Sequence, residues 1–74
     1  MEQSIHVNYT TRKFLCLESF SSEGRKCYKD EVYAAYPLEG GGYKLVFENG
    51  DMNFTEELFK RVVEAWGGVL LEIT

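Results

Sequence analysis

The chain has 74 residues, room for one domain over residues 1–74 and no second. Hydrophobic residues make up 45% and charged residues 27%, which supplies one core and excludes a disordered chain. Twelve acidic against eight basic residues leave a net charge of −4, which argues against a nucleic-acid partner held by its phosphates and is too weak for wholesale imitation of DNA.

At the N-terminus Ile5, Val7 and Tyr9 alternate with His6 and Asn8, the period of a half-buried strand. Met1-Glu2-Gln3-Ser4 shows no basic n-region followed by an apolar h-region, and no apolar run approaches the ~20 residues of a membrane span. A soluble, cytoplasmic protein is the expectation, with no membrane partner. Thr10-Thr11-Arg12 turns the chain back into a strand over Phe14–Phe20, bounded by the polar stretch Ser21–Lys26. Glu31–Tyr36 is β-prone and ends at Pro37, which has no amide to give a ladder. Leu38–Gly42, with three consecutive glycines, leads into a strand over Tyr43–Glu48. Asn49-Gly50 then signals a hairpin, because a type I′ turn needs positive φ at both central residues, and Asp51–Phe54 is the returning strand.

A helix is predicted over residues 56–66, where Leu58, Phe59, Val62, Val63 and Trp66 recur with helical spacing. Thr55 is its N-cap, Glu56 and Glu57 favour the positive end of its dipole, and Gly67 is placed to take positive φ after it. Val69–Ile73 reads as a last strand, central in the sheet because it is apolar on both faces. The order β-β-β-β-β-α-β predicts an α+β fold: an antiparallel, strongly bent sheet of five or six strands, or a partly open small barrel, packed by one C-terminal helix.

The run Tyr28-Lys29-Asp30-Glu31-Val32-Tyr33, then Gly42–Phe47, Glu48-Asn49-Gly50-Asp51 and Phe54–Phe59, resembles small phage and prophage proteins built on a bent sheet of the Src-homology-3-like type. The resemblance covers residues 28–59 and consists of hairpin and core positions. It implies a phage accessory role, binding and modulating a host or defence protein in the host cytoplasm, and it carries over no catalytic residue. The helix and the strand after it exceed a minimal barrel, so an open sheet with a packed helix stands beside the barrel as an alternative.

Catalytic and metal chemistry find little to build on. His6 lies opposite the Ile5/Val7/Tyr9 face and reads as a solvated histidine, and no Ser or Cys sits in a nucleophile motif. Cys16 and Cys27 lack the paired spacing of structural zinc and read as reduced thiols, with a bridge between them as the minority alternative. Gly40-Gly41-Gly42 is followed by a strand rather than a helix, which makes it a loop and not a phosphate cradle. The sequons at Asn8 and Asn53 read as turn or cap chemistry. No enzyme, cofactor or metal is expected.

Five tyrosines and five phenylalanines exceed what so small a core hides, and exposed tyrosines favour interfaces. Tyr28, Tyr33, Tyr36 and Tyr43, rimmed by Glu39, Glu48 and Asp51, form the candidate partner-binding set. The expected function is a small protein-binding module or inhibitor, with a homodimer as one form it takes. Two alternatives remain open: a single-stranded nucleic-acid-binding barrel using Arg25, Lys26 and Lys29, and a small-molecule or nucleotide sponge at a dimer interface.

Overall fold

Among the described residues the chain forms seven strands and one helix. The computed structural model describes residues 10–73. The strand expected around Ile5, Val7 and Tyr9, with His6 and the Asn8 sequon, lies outside the described residues. The elements run β1 (Arg12–Cys16), β2 (Phe20–Ser22), β3 (Arg25–Cys27), β4 (Val32–Pro37), β5 (Tyr43–Phe47), β6 (Gly50–Phe54), α1 (Glu56–Ala65) and β7 (Leu70–Ile73). Five strands form one antiparallel sheet in the order β6-β5-β4-β1-β7, and β2 and β3 pair as a separate hairpin. The sheet is open, with β6 and β7 at its edges, so the α+β fold has the expected helix on a sheet that does not close into a barrel.

Alternate residues of the five strands make an inner face that carries the core. Phe14 and Cys16 on β1, Tyr33 and Ala35 on β4, Leu45 and Phe47 on β5, Phe54 on β6 and Leu70 on β7 are all buried. The helix lies over them. Thr55 caps it, its hydroxyl oxygen accepting the Leu58 amide at 3.2 Å. Phe59 descends among Tyr43, Phe54 and Phe14, with ring centroids at 4.7, 5.9 and 6.0 Å. Two turns on, Trp66 meets Phe47 at 6.2 Å and Phe20 of the small hairpin at 5.3 Å. Such tilted and edge-on ring pairs each add roughly 0.5–1.5 kcal/mol beyond the area they bury.

Five features differ from the expectations drawn from sequence. The strand expected over Phe14–Phe20 is interrupted: β1 ends at Cys16 and Phe20 opens β2. The polar stretch from Ser21 to Lys26 is no mere boundary, because it holds the β2–β3 hairpin. Its two-residue turn, Glu23-Gly24, takes positive φ at both positions (51° and 79°), the signature of a type I′ turn. In the β5–β6 hairpin the turn residues are Glu48 and Asn49, since Phe47 pairs with Gly50; only Gly50 has positive φ. Asn49 is occupied otherwise: its Oδ1 accepts the Lys26 amide at 2.8 Å and its Nδ2 donates to the Gly24 carbonyl at 2.8 Å. Glu48 N–H adds a bond to the Lys26 carbonyl at 2.9 Å, so this turn clasps the small hairpin.

The helix does not end on a left-handed Gly67. The Trp66 carbonyl accepts from the Val69 and Leu70 amides at 2.9 and 2.7 Å, which turns the chain into β7 without positive φ at Gly67 or Gly68. Finally, β7 is an edge strand, not a central one. Among the described residues it pairs with β1 alone, and its second apolar face, Leu71 and Ile73, points outward.

Candidate functional site

The tyrosine set does not assemble into one face. On β4 the strand period turns Tyr33 inward and Tyr36 outward. Tyr33 is buried, its hydroxyl donating to Glu48 Oε2 at 2.9 Å and accepting the Tyr28 amide at 2.7 Å. Burial, with the Glu48 carboxylate as acceptor of its proton, pushes the Tyr33 phenol up to about 12. Its ring is therefore closed to a partner. Tyr43 lies half-buried against Phe59. Only Tyr28 and Tyr36 are exposed, one in the β3–β4 loop and one on the sheet.

The rim residues are similarly dispersed. Glu39 lies in the glycine loop, Glu48 in the β5–β6 turn, and Asp51 on the outer side of β6. Of the basic set, Arg25 donates from Nε to the Asp51 carbonyl at 3.1 Å, and the Lys26 backbone is held by Asn49 and Glu48. The Lys29 amide donates to Ser19 Oγ at 2.8 Å, while the side chains of Lys26 and Lys29 are exposed. Arg25 thus works as a tie between hairpins.

Both thiols are free and fully buried. Burial pushes Cys27 up to about 12, with Cys16 and Glu48 adding to the effect, and it raises Cys16, whose Sγ lies 3.0 Å from the Glu18 carbonyl. At neutral pH each is a protonated core side chain with little nucleophilic character. Among the described residues no cluster of His, Cys, Asp and Glu has metal-binding geometry, and no helix is long and apolar enough to cross a membrane.

What the strands do assemble is an outer apolar face. Leu15 on β1 pairs across to Val32 on β4 and to Leu71 on β7; Lys13 pairs with Ala34 and Ile73; Tyr36 pairs with Lys44; Val46 pairs with Asp51. The helix and the small hairpin both pack on the inner side, leaving Val32, Tyr36 and Leu71 about half exposed at 49%, 48% and 49%. Three of the five large hydrophobic side chains that stand exposed among the described residues thus share one face. The remaining two, Tyr28 and Leu58, lie in a loop and on the helix.

Sequence reasoning singled out Tyr36 and Asp51 on this face but not Val32, Leu71, Leu15, Lys13 or Lys44. The signal was available: β1, β4, β5 and β7 each carry apolar residues on both sides of the strand, the pattern of a sheet covered twice. No protein-family model, curated protein or solved structure matches the chain.

Proposed function

We propose that the chain is a non-enzymatic protein-binding module that meets its partner with the outer face of its five-stranded sheet. The observation that carries this reading is the gathering of Val32, Tyr36 and Leu71 on one open side of the sheet. A sheet apolar on both faces gains by covering both, and exposed apolar patches of this kind mark interaction surfaces. Tyr36 supplies the aromatic anchor typical of such surfaces. The protonated, buried state of both thiols supports a binding role over a catalytic one.

The test is affinity capture with the full chain against a Val32→Glu/Leu71→Glu variant. Both positions are half exposed, so the variant is expected to keep its circular dichroism and melt as one transition. A partner retained by the wild type and lost from the variant is the expected outcome. Identical captured proteins from both would sink the proposal.

A further inference from the structure

The reading of the outer face as a protein-binding surface can be carried to the chemistry of its partner. We propose that this face receives an amphipathic helix whose apolar stripe is flanked on both sides by carboxylates, lying along β4 between Lys13 and Lys44. This rests on the function proposed above.

The floor for such a helix is β4 itself: Val32, the small Ala34, and Tyr36. Ala34 leaves a low point between two larger side chains, into which a partner's apolar side chain fits. On either side stand the neighbouring strands, β1 and β5, each presenting one lysine outward. Lys13 pairs directly with Ala34 and Lys44 directly with Tyr36. Adjacent strands lie about 4.8 Å apart and Lys44 stands two positions further along β4 than Lys13, which sets their backbones roughly 12 Å from one another, one on each side of β4. A helix is about 10–12 Å wide with its side chains, so each ammonium reaches one of its flanks. Apolar residues on the centre of that helix and acids at its margins would match the floor and both walls.

The charge pattern selects this occupant over a second copy. The chain is acidic overall, at −4, yet the outward positions of β1, β4 and β5 carry two lysines and no carboxylate. Asp51 is the one carboxylate among the outward strand positions, on β6 beyond Lys44. Among the described residues neither lysine takes part in an ion pair. A second copy would bring two more lysines to the interface and one acid, leaving positive charge uncompensated where water is excluded.

The experiment uses two labelled synthetic helical peptides with the same leucine stripe, one flanked by glutamates and one by lysines, titrated with the full chain by fluorescence anisotropy. The glutamate-flanked peptide is expected to bind at least tenfold tighter, with the advantage shrinking as salt rises. A Lys13→Glu/Lys44→Glu variant is expected to invert the preference, and Lys13→Ala/Lys44→Ala to abolish it. Circular dichroism melts confirm that each variant folds. Equal binding of both peptides overturns the charge match while leaving the face as a protein-binding surface. Binding of neither overturns the inference, and if the captured proteins are also unchanged by Val32→Glu/Leu71→Glu, the functional reading falls with it. A dimer in light scattering that Val32→Glu disrupts would assign the face to a second copy, and nuclear Overhauser contacts from residues 1–9 to Val32 and Leu71 would assign it to this chain's own first residues. Either result overturns the proposal.

Discussion

Arg12 combines two hydrogen bonds with three ring contacts. Its Nε and Nη2 donate to the two oxygens of Glu72 at 2.7 Å each, and its guanidinium lies 5.2–5.8 Å from the ring centroids of Phe59, Tyr43 and Phe14. The bidentate pair holds Glu72 below its ordinary 4.5, chiefly through these hydrogen bonds. The folded state therefore binds that proton more weakly than the unfolded state does, so the pair contributes stability above about pH 4.5 and loses it as pH falls through the lowered value. Glu72→Gln is expected to lower the melting temperature at pH 7, and to narrow the gap between melts at pH 7 and pH 3. The pair is a third exposed, which keeps its contribution near 1 kcal/mol or below, a few degrees in a domain this small. An acid limb unchanged by the substitution would contradict this account. Tyr33 teaches the opposite lesson about single residues: composition marked it as a contact, but strand parity sends it inward, where its hydroxyl satisfies a backbone amide.

Among the elements, the β4–β5 connection is the most tightly constrained. Gly42 takes φ +87°, and a Cβ built there would collide with the Phe54 carbonyl oxygen, backbone that has no freedom to retreat. At Gly41, φ +103°, an added Cβ meets nothing within 4 Å. Both alanine variants carry the strain of positive φ, about 1–2 kcal/mol, but Gly42→Ala adds a steric clash with β6. Urea titration is expected to show Gly42→Ala as the more destabilised of the two; equal midpoints would refute the close approach.

The elements legible in the sequence were those specified locally. The helix has its cap, its dipole-matched acids and its apolar period within one short window, and it forms at Glu56–Ala65. The strands β4, β5 and β6 are likewise bounded by Pro37, the glycine loop and a turn. The β2–β3 hairpin was hidden because each strand has three residues and its stability comes from Asn49, far along the chain. The same distant demand explains why Asn49 leaves its expected turn geometry. Of the candidate site, Tyr36 was legible and the rest of the face was not, because which apolar side of a strand remains open depends on where the helix lands.

At the scale of the molecule the two faces of the sheet are unequal. The inner face, with the helix and the small hairpin against it, encloses every fully buried large side chain among the described residues: Leu45 and Cys16 of the sheet, Phe59 of the helix and Cys27 of the hairpin, while the outer face is half wet. Phe59→Ala is expected to cost about 3–5 kcal/mol, a large share of what a small domain has. Val32→Thr with Leu71→Thr should cost far less, because each side chain is only half withdrawn from water. Thermal melts of the two variants check this, and comparable losses would mean that the outer face is covered in the free protein. The neighbouring placement of β1 and β7, with Lys13 beside Ile73, has a mechanical consequence. Tension applied through residues 12 and 73 would act across the ladder rather than along it, parting one rung after another. The Arg12–Glu72 fork is the first fastening such a pull would meet, so the molecule should yield to stretching at low force even where heat leaves it intact.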